Sequence, residues 1–180
     1  WRATAFDDAA WPSGPAPFGY GDGDEATVLG YGGNASARYI TTYFRKKFTI
    51  TNRAGIQSAK LYLLRDDGAV VHVNGTADVV RSNMHPVNPI TWATTASSNV
   101  GGADENTFFY QYAIPAALLV DGDNVLAVEI HNVSASNDDI SFNARLEVSQ
   151  ANPATPVILN TGGTVTARAR AYQRTRRSGS

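Results

Sequence analysis

Two strand-like segments constrain the fold of this chain more than any other feature. Residues 65–75 contain an Asp-Asp-Gly turn, an apolar run and an Asn-Gly turn, and residues 123–132 follow an Asp-Asn turn with a second apolar run. Asn-Gly favours a tight hairpin, and apolar runs between turn signals are typical of buried strands. We predict neighbouring strands of an antiparallel sandwich. Neither segment holds a nucleophile motif, a metal-ligand cluster or a phosphate loop, which favours a binding module over an enzyme.

Short alternating runs recur along the chain, and no long stretch has helical periodicity. This pattern predicts an all-β sandwich. In 124–132, alternation places Leu126, Val128 and Ile130 in the core and leaves Glu129 and His131 outside. Gly68 is expected to supply a positive φ in its turn. The predicted strands cover residues 38–50, 58–65, 69–74, 77–82, 106–114, 124–132 and 140–149.

If successive strands are antiparallel, four connections meet at one end of the sandwich. They are the chain up to residue 38, the turn at 66–68, the excursion 83–105 and the loop 133–139. They carry many acidic side chains together with Tyr31, His85 and Trp92. Loops at one end of a rigid sandwich commonly carry function, so we expect a binding site there.

Charge is distributed unevenly over the 180 residues. All 16 acidic residues lie at or before Glu147, whereas five of the 15 basic residues follow residue 150, which leaves a net charge of −6 on the body. An acidic body argues against nucleic acid as the partner, because phosphate binding needs a basic face. No apolar run approaches the roughly 20 residues needed to span a bilayer.

The chain divides into three parts. Residues 1–150 form the predicted β domain, and residues 151–156 form a linker that contains Pro153 and Pro156. Residues 157–180 are expected to be the start of a further β module or a disordered basic tail. Because Trp1 begins abruptly in sequence typical of a folded domain, and because cysteine is absent, we expect a piece of a longer secreted bacterial protein.

Residues 1–150 resemble the galactose-binding-like jelly-roll superfamily, including the sugar-binding domain of family 2 glycoside hydrolases. Residues 73–75 (Val-Asn-Gly) and 124–129 (Asn-Val-Leu-Ala-Val-Glu) carry this resemblance. The chain also looks like modules appended to secreted bacterial multidomain proteins, such as phosphoesterases and lamin-tail proteins. The segments similar to those modules are 6–8 with Trp11, 19–24, 39–46, 65–68, 101–106 and 139–142.

The resemblance implies an antiparallel jelly roll whose first strand lies upstream of Trp1. It implies three kinds of role for such a module: a sugar site, a calcium site or structural duty alone. Residues 157–172 are similar to the immunoglobulin-like modules that often follow in these proteins.

Asp22 and Asp24 alternate with glycine in a loop, which suits a hard cation that prefers oxygen ligands. Jelly rolls that this chain resembles often hold a structural calcium near their first loops. We therefore expect calcium, if it binds, at Asp22 and Asp24. Asp66 and Asp67 leave two interpretations open, because the oxygens of a turn-forming Asp could also bind calcium.

Aromatic side chains near the loop end suggest a sugar site, because sugar rings stack on aromatic faces while polar groups bind the hydroxyls. We expect Trp92 and Tyr31 to stack, and Arg38, Asp104 and His131 to bind hydroxyls. The adjacent acids 104–105 and 138–139 are expected to stay solvated and ionised, which disfavours a glycosidase. The sequence thus predicts a non-catalytic module that binds a polysaccharide or surface glycan. The alternatives are a spacer packed against neighbouring domains and an accessory domain of a hydrolase whose active site lies outside this chain.

Overall fold

The computed structural model describes residues 1–150 and the backbone of 157–159 and 167–171. Its strands are β1 (Ser13–Gly14), β2 (Phe18–Tyr20), β3 (Thr27–Val28), β4 (Thr41–Ile50), β5 (Ile56–Asp66), β6 (Gly68–Val73), β7 (Thr76–Ser82), β8 (Tyr110–Ile114), β9 (Gly122–His131), β10 (Ile140–Gln150), β11 (Val157–Leu159) and β12 (Ala167–Ala171). One four-residue α-helix, α1 (Ala103–Asn106), precedes β8, and 3₁₀ turns occupy Arg53–Gly55 and Ala116–Leu118. No helix among the described residues could cross a membrane.

The strands form two sheets. Sheet A has the order β1-β12-β4-β9-β6-β7, and sheet B has the order β3-β2-β10-β5-β8, with β11 also paired to β10. Within the described chain every pairing is antiparallel except β2 with β3. From β4 to β10 the chain passes between the sheets at every connection but the β6–β7 hairpin, the alternation of a jelly roll. The predicted all-β antiparallel sandwich is confirmed, and β6 and β9 are neighbours as expected.

The core lies between the two sheets. The predicted inward residues of β9, namely Leu126, Val128 and Ile130, are all buried in it, and β10 contributes the alternate residues from Ile140 to Val148. This confirms the face assignment, because side chains alternate strictly along a strand.

Side chains on the outer face of sheet A were predicted to lie outside, but the N-terminal segment covers this face. The Arg45 guanidinium is fully buried there; it forms an ion pair with Asp8 at 3.1 Å and donates to the carbonyl oxygens of Trp1 and Ala3. The Trp1 ring packs edge-on against Tyr43. A buried guanidinium needs this many acceptors because it cannot lose its charge.

The β11 and β12 strands extend the sheets of residues 1–150. The backbone of β11 pairs with β10, and that of β12 lies between β1 and β4. The boundary after residue 150 and the further module stay predictions, and the rest of 151–180 lies outside the described residues.

Asn74 and Asn124 explain the Asn-Gly and Asp-Asn turn motifs, which lie at the end of the sandwich opposite the predicted site. Asn74 and Gly75 both have positive φ (51° and 85°), as the predicted hairpin requires. The Asn74 Oδ1 accepts from the Val125 N–H at 2.7 Å, and its Nδ2 donates to the Asn124 Oδ1 at 2.8 Å. Asn124 in turn bonds both the N–H and the carbonyl of Val120. The motifs therefore serve the fold at this end.

We expect Asn124→Ala to lower the free energy of unfolding by about 1–3 kcal/mol, because it removes the partners of the Val120 N–H and carbonyl and of the Gly122 carbonyl, in bonds that are partly buried. Urea unfolding measures the change. Asn34→Ala, at an exposed loop position, serves as the control and should change stability by less than about 0.5 kcal/mol. Equal effects of the two variants would contradict the role given to Asn124.

Candidate functional site

Four connections converge at the end of the sandwich opposite Asn74, as predicted. The Arg38 N–H donates to the Ala135 carbonyl at 2.8 Å, and the Ala96 N–H donates to the Asn132 carbonyl at 3.0 Å. Gly68 permits one close approach, since an added Cβ would lie only 2.9 Å from the Ala96 Cβ. Gly68 lies in a strand and is not among the positive-φ residues, so the expected reason for this glycine is wrong: the close packing requires it.

Asp67 is the buried anchor of these loops. Its Oδ1 accepts from the Val100 N–H at 2.7 Å, and its Oδ2 accepts from the Val133 N–H at 2.7 Å and from the Asn137 Nδ2 at 3.1 Å. Three N–H donors therefore satisfy the oxygens of this buried carboxyl group. Asp67 thus has the turn-stabilising role that the sequence left open.

Asp66 has the opposite environment. Its side chain is fully buried, and neither oxygen accepts a hydrogen bond from any N–H or O–H of residues 1–150. The Asp67 carboxylate is within hydrogen-bonding reach, but two carboxylates can share a hydrogen bond only if one is protonated. Burial, that contact and the charges of Asp67, Asp139 and Glu105 raise the pKa of Asp66 to about 10.

Three further carboxylates surround this end of sheet B. Oxygens of Asp22, Glu105 and Asp139 all lie within 4.8 Å of one another. Asp22 follows β2, Asp139 precedes β10, and Asp66 ends β5, while Glu105 in α1 precedes β8. Since β2, β10, β5 and β8 are successive neighbours in sheet B, each of these strands, or the segment next to it, brings one carboxylate to the same end of the sheet. We call Asp22, Asp66, Glu105 and Asp139 the carboxylate cluster.

Within residues 1–150 the cluster has no positive partner. None of its four members forms an ion pair with a lysine, arginine or histidine of residues 1–150. Burial, followed by repulsion from neighbouring carboxylates, raises the pKa of Asp22 and of Asp139. Burial also raises the pKa of Glu105, although its hydrogen bond from the Gly102 N–H opposes the shift.

The expectation that acids 104–105 and 138–139 all remain solvated is wrong for one member of each pair. Glu105 is buried and Asp139 is half-buried, whereas Asp104 and Asp138 are exposed. Adjacent residues of a turn point in different directions, so only one of two neighbours faces the cluster. Asp24 is likewise exposed beside the half-buried Asp22.

The first-loop group of Asp22, Asp24 and Glu25 has mutual oxygen distances within 4.8 Å. However, both oxygens of Glu25 accept backbone N–H bonds, one from Asp22 at 3.0 Å and one from Gly23 at 3.1 Å. Glu25 therefore closes its own loop, and the expected ligation by Asp22 and Asp24 stays a prediction.

The aromatic residues expected to stack on sugar lie in two settings. Trp92 is 46% exposed in a loop whose backbone is fixed by a 2.8 Å bond from the Thr41 hydroxyl to the Trp92 carbonyl. Tyr31 is partly buried against the core, 5.4 Å from the Tyr20 ring, and the Arg38 guanidinium lies 5.2 Å from the centroid of its ring. The structure thus pairs Tyr31 with Arg38.

Asp104 lies beside a different aromatic pair. Its Oδ2 accepts from the Tyr110 hydroxyl at 3.1 Å, and the Tyr110 ring meets the 49% exposed Phe108 edge-on at 4.8 Å. Phe108 and Tyr110 were not predicted as site residues, because they fall in a predicted strand, where aromatic residues usually indicate packing.

The expectation that Glu129 and His131 face solvent is wrong, because loop 91–96 and the N-terminal segment cover that face. His131 is fully buried; its Nδ1 lies 2.7 Å from the Thr94 carbonyl, and its Nε2 lies 3.4 Å from Glu129. His72 lies 2.9 Å from the other Glu129 oxygen. In this arrangement His131 has no exposed atom to offer a ligand, and it instead supports the loop that carries Trp92.

Burial alone would raise the pKa of Glu129, but hydrogen bonds and positive charge from His131 and His72 lower it to about 2. The charged carboxylate therefore stabilises the fold above its unfolded pKa of 4.5, and that contribution is lost as the pH falls from 4.5 towards 2. We expect Glu129→Gln to flatten the dependence of stability on pH in this window. Urea midpoints between pH 2 and 5 test this, with Glu147→Gln as the control that retains the dependence.

A cavity of about 390 Å³ lies away from the cluster, lined by Pro12, Ser13, Phe18, Thr27, Val28, Leu29, Gly30, Gly32, Tyr39 and Thr42. Its lining includes no carboxylate and no histidine, and Tyr39 is its one side chain of a kind that serves in acid–base catalysis.

The fold and its loop end define a β-sandwich module. The chain is similar to a part of the α-L-rhamnosidase of Streptomyces avermitilis, solved in complex with L-rhamnose, with a TM-score of 0.51 and 17% identity over 92% of this chain. It also matches α-L-rhamnosidases from Dictyoglumus thermophilum (TM-score 0.47, 15% identity, 75% of this chain) and Aspergillus terreus (0.39, 14%, 76%). The chain spans only 13%, 13% and 20% of those chains. At these identities the likeness shows the fold alone.

No family model and no curated protein matches the chain.

Proposed function

We propose that residues 1–150 are a non-catalytic carbohydrate-binding module that attaches a larger secreted polypeptide to a glycan. The observation that carries the proposal is the exposure of the Trp92 ring at the loop end while its backbone is fixed. A rigid, half-exposed aromatic offers apolar area to a sugar ring at little entropic cost.

Two further features support the proposal. Tyr31 and Arg38 supply a second aromatic surface with a cation, and Asp104 with Tyr110 supplies an acceptor and a hydroxyl at the same end. The fold of the sandwich is also that of a small part of a rhamnose-releasing enzyme. L-rhamnose-terminated glycans are therefore the first ligands to test.

Catalysis by this chain is disfavoured on chemical grounds. A glycosidase needs two carboxyl groups on opposite sides of a bound sugar. Here the oxygens of Asp22, Glu105 and Asp139 lie within 4.8 Å of one another, and Glu105 is only 7% exposed. This arrangement leaves no space for a sugar ring between them.

We expect the full 180-residue protein to bind one class of glycan on an array that includes L-rhamnose-terminated and polysaccharide ligands, in buffer with calcium. Trp92→Ala should abolish most of that binding while it leaves the thermal unfolding curve cooperative, because loss of a stacking ring costs about 1–3 kcal/mol. Phe108→Ala removes an equally exposed aromatic and is the matched control.

Two outcomes would contradict this proposal. Loss of binding in Phe108→Ala rather than Trp92→Ala would exclude Trp92 as the stacking platform. An array on which the folded protein binds nothing would exclude the lectin-like function and favour the packing module, whose exposed apolar residues Val28, Val87 and Val120 would then be candidates for contacts with neighbouring domains.

A further inference from the structure

We propose that Thr41 and His131 are positioning residues for the Trp92 ring: they hold loop 91–96 on the outer face of sheet A and so determine the glycan affinity without contacting the glycan. Thr41 and His131 lie directly opposite each other in the β4–β9 pairing, and both are buried. The effect on affinity rests on the proposed function, whereas the position of the Trp92 ring can be measured without a ligand.

Few hydrogen bonds connect loop 91–96 to the sheet. Inside the loop, the Thr94 N–H donates to the Thr91 carbonyl at 2.9 Å and closes a turn. Within residues 1–150, three hydrogen bonds join the loop to the start of β4 or the end of β9. They are those between the Thr41 hydroxyl and the Trp92 carbonyl (2.8 Å), the His131 Nδ1 and the Thr94 carbonyl (2.7 Å), and the Ala96 N–H and the Asn132 carbonyl (3.0 Å). Two of the three therefore depend on the side chains of Thr41 and His131.

The groups around the His131 ring determine which nitrogen carries a hydrogen. The Thr94 carbonyl can only accept, so the Nδ1 of His131 must donate to it. The Thr41 hydroxyl donates its single hydrogen to the Trp92 carbonyl, and it therefore accepts from the same Nδ1 at 2.9 Å. One Nδ1–H group thus holds Thr94 directly and Trp92 through Thr41.

Glu129 orients the opposite side of the ring. Its Oε2 lies 3.4 Å from the His131 Nε2, which is buried and has no hydrogen-bond partner within residues 1–150. The other Glu129 oxygen lies 2.9 Å from the Nε2 of His72, whose Nδ1 accepts from the Asp78 N–H at 3.1 Å. Since the partner of one ring nitrogen determines what the other can do, Glu129 directs the Nδ1–H of His131 towards the loop.

This support matters for a ring that stacks on a sugar. The Trp92 side chain is half exposed, so contacts of the ring itself fix it only in part, and the backbone bonds determine where the ring begins. A ring that is already in place when the glycan arrives loses less conformational freedom on binding. Loss of the Thr41 hydroxyl should therefore weaken binding although the Trp92 ring is still present.

The test uses the full 180-residue protein and calorimetric titration with the glycan that binds on the array. Thr41→Val replaces the hydroxyl by a methyl group of similar size and should lower the affinity about three- to tenfold, the effect of one hydrogen bond. Thr41→Ser keeps the hydroxyl and should restore the affinity to within about twofold of the wild type. Thr42→Val is the matched control and should bind like the wild type, because Thr42 is also buried but lines the cavity on the other face of β4.

Two NMR measurements need no glycan. The chain has three tryptophans, and the Trp92→Ala variant assigns the indole N–H signal of Trp92. Thr41→Val should shift this signal and leave that of Trp11 in place, and Thr41→Ser should restore it. At about pH 8.5, above the usual titration of histidine, long-range ¹⁵N–¹H spectra should show a hydrogen on the Nδ1 of His131, with the exposed His85 as the internal reference.

Three results would overturn the proposal. The first is a Thr41→Val protein with the affinity and the Trp92 signal of the wild type. The second is an equal loss of affinity in Thr41→Ser or in Thr42→Val, which would exclude the hydroxyl as the cause. The third is an Nδ1 of His131 without a hydrogen. If the wild type binds no glycan, the proposed function fails, but the Trp92 and His131 signals still decide whether the two residues position the ring.

Discussion

The loop end depends on one buried carboxylate, that of Asp67. Its two oxygens join the junction between β5 and β6 to the excursion 83–105 and to the loop 133–139. These bonds hold the loops in place together with backbone hydrogen bonds such as those from the Ala96 N–H to the Asn132 carbonyl and from the Ser97 N–H to the Asn83 carbonyl. They also help to position Glu105 and Asp139, which follow Val100 and Val133 by five and six residues.

The position of Asp66 follows from that of Asp67. Because Asp66 is the last residue of β5, its backbone is fixed by the pairing with Ser141. The carboxylate of Asp67 bonds to the loops, whereas the charges of Asp67, Asp139 and Glu105 act on the carboxyl group of Asp66. The order and register of the strands thus bring several carboxyl groups to one end of sheet B.

The sequence predicted strands β4 to β10, the inward residues of β9, and the end at which loops meet, because these features follow from local alternation and turn signals. It missed the short strands β1 to β3, and it began β8 at residue 106 instead of Tyr110. It did not predict that Glu129 and His131 are buried, since alternation assigns a face but does not show what covers it. It also missed Asp66, Glu105 and Asp139 as a group. A pattern of adjacent acids at each strand end was visible, but only the sheet order shows that these ends are neighbours.

Each sheet has a buried carboxyl group near the loop end, Glu129 on sheet A and Asp66 on sheet B, and the neighbours of the two groups differ. On the side of sheet A, Glu129 is held ionised by His72 and His131, and its pKa is low. On the side of sheet B, Asp66 has no such partner, and its pKa is high. Burial acts in the same direction on both carboxyl groups, so the neighbours decide the outcome: two histidines lower the pKa of Glu129, whereas Asp67, Asp139 and Glu105 raise that of Asp66 further.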